Sequence, residues 1–507
     1  MRNFTSMNHH QSTAIIIGAG IAGIASAIRL AVQGFAVKVF EKNSYAGGKI
    51  NSFEKEGYCF DGGPSLFTQP QLIEELFALA GEPIQHYFNY KPVPIACTYF
   101  YEDGVVIKGY TNADKLAEEL YNKVGEDKTA VKRYLQRSKQ LYETTGSIFL
   151  NYSLHKMSTL WKAPVAKALM NTKPVHLFAS LNAFNQYSFK QAHTIQLFNR
   201  YATYNGSNPY QAPGMLSVIP HLEYNEGVFY PKGGMISIAN ALYRLAVKKG
   251  VQFYFNMPVE QIIHKANKVT GVMANNEKYL ADIVVSNMDV YFTYKRLLRN
   301  EQKAAHILRQ ERSSSAFIFY WGINKTFPQL GLHNIFFSKN YKEEFDHIFK
   351  LKQLYNDPTV YINITSKCEP DLQAPPDKEN WFVMVNAPAN VGQYESAMQQ
   401  QLKKHILSKL SSLLQTAIEP LIEVEATLNP VMIEEHTASY MGALYGTSSN
   451  SRMAAFLRHP NFSNQLKGLY FVGGSVHPGG GIPLCLRSAK IMSEMVKNDK
   501  RGWKYAH

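Results

Sequence analysis

Ala14-Ile-Ile-Ile17-Gly18-Ala19-Gly20-Ile-Ala-Gly23, followed by Ile24 to Gln33, Gly34, and Phe35-Ala-Val-Lys-Val-Phe40-Glu41, decides the fold. Ala14 to Ile17 is a short apolar run of the kind buried on both faces of a parallel sheet. A glycine turn follows at once. Ile24 to Gln33 reads as a helix that stops at Gly34. Phe35 to Phe40 reads as a second strand ending in the acid Glu41. The first glycine permits the tight turn, the second lets backbone approach a pyrophosphate, and the third lets helix pack on strand. The helix N-terminus offers unpaired N–H groups and partial positive charge to phosphates. Glu41 stands 18 residues past Gly23, where a carboxylate accepts hydrogen bonds from ribose hydroxyls and disfavours a 2′-phosphate. The expected ligand is a dinucleotide that lacks that phosphate.

Outward from this motif, the 507 residues allow two to four domains, or one large enzyme fold with insertions. Apolar residues make up 45% and charged residues 18%, which excludes a disordered or acidic solvating chain. Lys and Arg outnumber Asp and Glu by 53 to 39, a net +14. That charge permits attraction to anionic membrane or nucleic acid. No basic recognition motif accompanies it, so no nucleic acid is expected as a partner. Cys59, Cys97, Cys368 and Cys485 are far apart in sequence, which gives neither a metal spacing nor a disulfide framework. No metal is expected, and a reducing compartment fits. The polar residues up to Thr13 carry no secretory signal. The uncharged run from Ala14 to Ile28 is too short for a membrane span and holds three glycines.

After Glu41 come Gly47-Gly48-Lys49-Ile-Asn-Ser52 and Gly57-Tyr-Cys-Phe-Asp61-Gly-Gly63-Pro64-Ser65. This second glycine pair resembles that of the large FAD family with a dinucleotide fold and a glycine-pair extension. That family includes amine oxidases, carotenoid desaturases and GDP-dissociation inhibitors. It usually holds a cation at the Lys49 position, where a positive charge beside a pyrophosphate is stabilising.

Residues 66–225 read mostly as helix: Leu72 to Ala80, Ala113 to Lys123, Lys128 to Tyr142. Between Thr144 and Lys190 stand Lys156, Lys162, Lys167, Lys173 and Lys190 with no acid. Phe149, Leu150, Leu154, Leu160, Trp161, Leu169 and Phe178 are interleaved with them. Such a stretch suits a membrane surface, at about 1 kcal/mol per lysine near anionic lipid, and equally a solvated helical face. A helix over Ile236 to Lys248 and strands at Val251 to Phe255, Val259 to Ile263, Lys268 to Met273 and Ala281 to Asn287 return the chain to the nucleotide domain. Ligands sit beyond the carboxyl ends of such strands, which makes Val259 and Asn287 candidate cofactor neighbours. Strands at Ala316 to Trp321, Thr359 to Ile364 and Trp381 to Val385, with a helix from Tyr394 to Leu414, read as a mixed sheet under a helical cover. Its aromatics serve either as plain core or as the lining of an apolar pocket.

Gly468-Leu-Tyr-Phe-Val472 is a buried strand, followed by Gly473-Gly474-Ser-Val-His477-Pro478-Gly-Gly-Gly481-Ile482-Pro483 and a helix from Leu484 to Val496. Pro483 suits a first helical turn, so the loop delivers a second helix N-terminus to the site. Backbone donors there would stabilise the negative charge of a reduced flavin. This string, with Ser488, the N-terminal motifs and Gly442-Ala-Leu444-Tyr-Gly446, resembles the signature of the bacterial-type phytoene desaturase family over the whole chain. Phe198-Asn-Arg200-Tyr-Ala-Thr-Tyr204-Asn-Gly-Ser-Asn-Pro209 is similar to the branch of 1-hydroxycarotenoid 3,4-desaturases. Val476 stands where the family more usually has Thr.

The resemblance implies an α/β fold. It has an FAD-binding, Rossmann-like, amine-oxidase-type domain built from 12–65, 227–290 and 431–500. Inserted into it are a mainly helical substrate and membrane-associated region at 66–226 and a mixed-sheet substrate domain at 291–430. FAD is the implied cofactor. Its implied binding residues are Gly18, Ala19, Gly20, Gly23, Glu41, Lys49, Ser65, Leu66, Leu444, Gly474, Ile482 and Pro483, beside Val259 and Asn287. The implied reaction introduces a C=C bond in carotenoid biosynthesis by hydride transfer from an allylic carbon to flavin, followed by loss of a proton from the neighbouring carbon. The cation between those steps is delocalised over the polyene, so a pre-tuned base is unnecessary and none is named. His477 is the titratable candidate, read chiefly as a loop residue that fixes the flavin pocket. Oxygen or quinone is the implied electron acceptor.

Exposing a substrate of about forty carbons to water would cost on the order of 30 kcal/mol at ~0.8 kcal/mol per CH₂-sized unit. A cytoplasmic enzyme peripherally bound to the inner face of the cell membrane is therefore expected, with the basic stretch as its docking face. The alternatives are a phytoene desaturase acting on the acyclic C40 chain, amine oxidation on the same fold, and a flavin-independent binder like the GDP-dissociation inhibitors. Glu41, the intact glycines and the closing loop argue against the last.

Overall fold

The computed structural model describes residues 11–153, 155, 178–389, 392, 394–451 and 458–504. Four of the five lysines of the expected docking face (Lys156, Lys162, Lys167 and Lys173) lie outside the described residues, as do Leu154, Leu160, Trp161 and Leu169. Lys190 is exposed, and Phe178 is 61% exposed.

A five-stranded sheet runs in the order Leu469–Phe471, Ile283–Ser286, Thr13–Ile17, Ala36–Phe40, Gln252–Tyr254. Every pairing in it is parallel. Three separate stretches of chain thus meet in one sheet, with the first strand at its centre. That strand is buried on both faces, with Ile15 and Ile16 1% and 0% exposed, as its unbroken apolar run requires. The helix Ile21–Val32 covers one face and packs on the helices Ile236–Lys248 and Ile482–Lys504. Their apolar faces form one core with the sheet. Each fully buried Ile or Leu there contributes about 1.5–3 kcal/mol. Gly23 makes the close packing possible: a Cβ at this position would stand 2.1 Å from the Gly18 carbonyl oxygen.

A second, mixed sheet of seven strands runs in the order Ile422–Leu428, Ser315–Ile323, Glu379–Ala387, Val360–Ile364, His333–Phe336, Ile95–Phe100, Val106–Tyr110. Its two faces differ by strand alternation. Phe317, Phe319 and Trp321 point to one face, where the helix Ser396–Leu413 covers them with Leu402, Ile406 and Leu410. Ala316, Ile318, Phe382 and Met384 point to the other, which walls a cavity. Trp321 and Trp381 face each other across the ladder, and each satisfies its indole N–H with a glutamate, Glu425 and Glu379, at 2.7 Å.

Several strands were not legible in the pattern. Ile95–Phe100 and Val106–Tyr110 come from the stretch read as mostly helix. A six-residue apolar run fits a strand or a buried helix equally well by periodicity. Ser52–Lys55 pairs with Tyr58–Asp61, but its charged, exposed residues hid the hairpin. His333–Phe336 is a short, wholly buried strand without alternation, whereas Ile422–Leu428 does alternate apolar and polar residues and is a strand beyond those expected above. The expected strands at 259–263 and 268–273 pair antiparallel as a hairpin around Asn267, and Glu277–Leu280 adds a third strand. Among the described residues no helix is long and apolar enough to cross a membrane.

Candidate active site

The carboxyl ends of the parallel strands open on one continuous cavity of about 920 Å³. One end is formed by the glycine loops, and the other by the apolar face of the seven-stranded sheet.

At the loop end, Glu41 is buried at the end of its strand. Its carboxylate accepts N–H bonds from Ala19 (2.7 Å) and Asn43 (2.9 Å), which pins the glycine turn to the second strand. Gly18, Gly20 and Glu41 line the cavity. Ala19 meets it only through the turn it shares with Glu41, and Gly23 serves packing instead. Gly48 comes so close that a Cβ there would stand 3.0 Å from the Gly20 Cα. The two glycine pairs therefore form one backbone cradle that side chains would fill. Asn287 ties the cradle to the C-terminus. A Cβ on Gly20 would stand 2.6 Å from its Nδ2, and a Cβ on Gly473 2.6 Å from its Oδ1. Val259, Ser65 and Leu66 line the same space.

Lys49 Nζ donates to the Leu444 carbonyl at 2.9 Å. Burial lowers its pKa, and the nearby Asp289 carboxylate opposes that effect. From the C-terminal side Gly474, Ile482 and Pro483 complete the wall at the start of the helix Ile482–Lys504. Cys485, one turn in, has its thiol pushed up to about 11 by burial, so it stays protonated.

His477 is 3% exposed, and its Nε2 donates to the Tyr152 carbonyl at 2.9 Å. Burial first, and then the neighbouring His155, push its pKa down to about 4. It is a neutral tether holding the closing loop to the segment around Tyr152. His477→Gln, which keeps an N–H donor, is expected to retain activity within about threefold. The pH profile of kcat/KM should show no limb of its own between pH 5.5 and 8.5. A limb in that range that vanishes in the variant would mark His477 as a proton carrier.

The residue pattern did not reveal several groups. Asp61 accepts the Met235 N–H at 2.9 Å just before the helix Ile236–Lys248, and burial pushes its carboxyl to about 7. The aspartate of Phe60-Asp61-Gly62-Gly63 was visible, but not that a helix start 174 residues away would meet it. His333, Tyr361 and the pair Arg200–Glu223 also reach the cavity. Arg200 stands in the Phe198–Pro209 string, but nothing in that string points to Glu223, His333 or Tyr361, and only their strand or turn placement brings the four together. Among the described residues no cluster of metal-ligating side chains is present.

These residues fit a dinucleotide of the FAD type. A backbone cradle faces a buried ribose-side acid, a lysine lies beside the cradle, and a second helix N-terminus closes the far side. Fold and site together define a flavin-dependent oxidoreductase with a nucleotide domain and an inserted mixed-sheet domain.

The chain belongs to the flavin-containing amine oxidoreductase family, whose model it matches over residues 21–496. It is 51% identical over 485 residues to a 1-hydroxycarotenoid 3,4-desaturase of Flavobacterium sp. (strain P99-3), covering 96% of this chain and 99% of that protein. It is 33% identical to a 4,4'-diapolycopene oxygenase of Methylomonas sp, covering 96% and 98%. In fold it is similar to cyclohexylamine oxidase from Brevibacterium oxydans, with a TM-score of 0.59 at 15% identity over 97% of this chain and all of that one. Putrescine oxidase bound to putrescine gives 0.61 at 14%, covering 97% and 99%. The expected α/β amine-oxidase-type fold, the FAD cofactor and the resemblance to carotenoid desaturases all hold.

Proposed function

We propose that this protein is an FAD-dependent carotenoid desaturase that introduces the 3,4 double bond into a 1-hydroxylated carotenoid. One observation carries the reading: the nucleotide cradle opens directly into a cavity walled by Ala316, Ile318, Phe382 and Met384. An elongated hydrocarbon fits such a wall. The likeness in sequence to a 1-hydroxycarotenoid 3,4-desaturase supports the choice of substrate.

In this reading Gly18, Ala19, Gly20 and Gly23 shape the turn that receives the pyrophosphate. Glu41 takes the ribose hydroxyls, and Lys49 lies beside the phosphates. Ser65, Leu66, Val259, Asn287, Leu444, Gly474, Ile482 and Pro483 enclose the remainder. FAD, when bound, supplies a two-electron acceptor for hydride. The chain's own work is to hold the polyene along the apolar sheet face and to exclude water from it. His477 and Cys485 stay neutral near pH 7, so the loop wall places no charge of theirs against the substrate. No residue is assigned as the base. With FAD bound, oxygen or quinone would serve as the final electron acceptor. The substrate enters from the inner face of the membrane, on which the protein sits peripherally.

The experiment incubates purified holoprotein with a 1-hydroxylated carotenoid, the acyclic hydrocarbon and a set of primary amines, the polyenes being held in liposomes. The expected result is a red shift of the carotenoid spectrum and no amine oxidation. Amine oxidation without polyene conversion would overturn the reading.

A further inference from the structure

One part of the cavity wall is strongly polar and takes no part in the cofactor cradle. Arg200 Nη2 lies 2.8 and 3.0 Å from the two carboxylate oxygens of Glu223. Its Nε and Nη2 also donate to the Tyr99 hydroxyl at 3.0 and 2.7 Å. Arg200 is 7% and Glu223 1% exposed, and both line the cavity. A buried ion pair is costly to desolvate, and an apolar pair of like volume stabilises a fold as well or better. Retaining one in the wall of a hydrocarbon cavity calls for a use. Arg200 Nη1 finds no acceptor among the described residues.

His333 lines the same cavity. Its Nδ1 is 3.1 Å from Asn363 Nδ2, which also donates to the Leu332 carbonyl. Nδ1 therefore accepts, and the ring proton sits on Nε2, a donor with no partner. The Tyr204 hydroxyl, enclosed in this wall, has no partner either. An excess of donors beside a guanidinium suits a neutral oxygen on the ligand. It suits neither a hydrocarbon terminus nor an ammonium group.

The location agrees. An oxygen on C1 lies within about 5 Å of the C3–C4 bond, at ~1.5 Å per bond, so its receptor belongs beside the reacting end. Tyr361 provides that link, with its hydroxyl 2.8 Å from His333 Nδ1 and 2.8 Å from Ser65 Oγ in the loop of the cradle.

We propose that Arg200, with His333 beside it, receives the hydroxyl oxygen at the substrate's end and thereby selects an oxygenated polyene over a plain hydrocarbon one. This rests on the carotenoid reading. The test compares kcat/KM for a 1-hydroxylated carotenoid with that for the same chain lacking the oxygen, in wild type and in Arg200→Lys. The wild type is expected to prefer the hydroxylated chain by about 100-fold or more, since a site built to bond a hydroxyl leaves its buried donors unpaired with the analogue. In Arg200→Lys that preference should fall at least about tenfold, with FAD content unchanged. Where the lysine variant does not fold, the double variant Arg200→Gln/Glu223→Gln, which leaves no unpaired buried charge, is read by the same ratio. An unaltered ratio, or a parallel loss on both substrates, overturns the inference. A wild type that converts both polyenes equally also overturns it alone, whereas one that converts neither refutes the carotenoid reading beneath it.

Discussion

Gly23→Ala is expected to purify without bound FAD and with less than about one hundredth of the wild-type activity. The added Cβ would stand 2.1 Å from the Gly18 carbonyl oxygen, and that neighbour is backbone, not the tip of a flexible side chain. Relief requires the helix Ile21–Val32 to move off the strand Thr13–Ile17. Both are buried against the helices Ile236–Lys248 and Ile482–Lys504, so the movement spreads into the main core. Overpacking at a close-packed site costs about 1–3 kcal/mol or more, and each 1.4 kcal/mol lost from binding is about tenfold in affinity. The turn that bears Gly18 and Gly20 is the part displaced, so nucleotide affinity takes most of the loss. Gly34→Ala is the control. Gly34 also has a positive φ, +87°, but nothing lies within 4 Å of an added Cβ. That variant bears only local backbone strain of about 1 kcal/mol and should keep its FAD. Protein-bound flavin absorbance per mole of chain separates the two.

Acid sensitivity is the second large effect. His333 and His477 are each 3% exposed, and burial pushes them down to about 3 and about 4. Arg200 adds to the depression at His333, and His155 at His477. Their folded pKa values lie below the unfolded value of ~6.5, so the unfolded chain binds the extra protons. Stability from these residues is present above about pH 6.5 and is lost as pH falls toward the folded values. Between pH 7 and pH 5 each loses about 2 kcal/mol. Asp61 works in the opposite direction: its carboxyl is raised to about 7, so acidification relieves a buried charge. The net slope therefore mixes both, and the variants isolate the histidines. The Tm of His477→Gln should fall less than wild type from pH 7 to pH 5, by about 2 °C for a chain of this size, and His333→Gln likewise. An identical fall in wild type and variants would mean that these rings are charged in the folded protein.

Much of this architecture was written locally. The strand, glycine turn, helix and acid from Ala14 to Glu41 are one contiguous unit whose spacing is dictated by a nucleotide, so sequence alone located it. The helix expected from Ile24 begins at Ile21, because the last glycine of the turn is already helical. The closing loop was equally legible, since Gly473 to Pro483 and the following helix are again contiguous. The polar wall was not. Arg200 sits on a short helical turn, Glu223 lies 23 residues later on a second one, and His333 is on a strand of the seven-stranded sheet. Their meeting depends on the seven-stranded sheet, which borrows Ile95–Phe100 and Val106–Tyr110 from a stretch that reads as helical. A pairing across that distance leaves no periodic trace in either partner. His333 alone reads as an ordinary core histidine, and only its unpaired Nε2 distinguishes it.

The most direct test mixes the FAD-loaded protein, without oxygen or quinone, with a 1-hydroxylated carotenoid in vesicles and records the full visible spectrum. The expected result is that flavin absorbance bleaches while the carotenoid band shifts to the red, one equivalent for one. A protein that stays colourless after FAD is added, or a flavin that an amine bleaches and the carotenoid leaves oxidised, would contradict it.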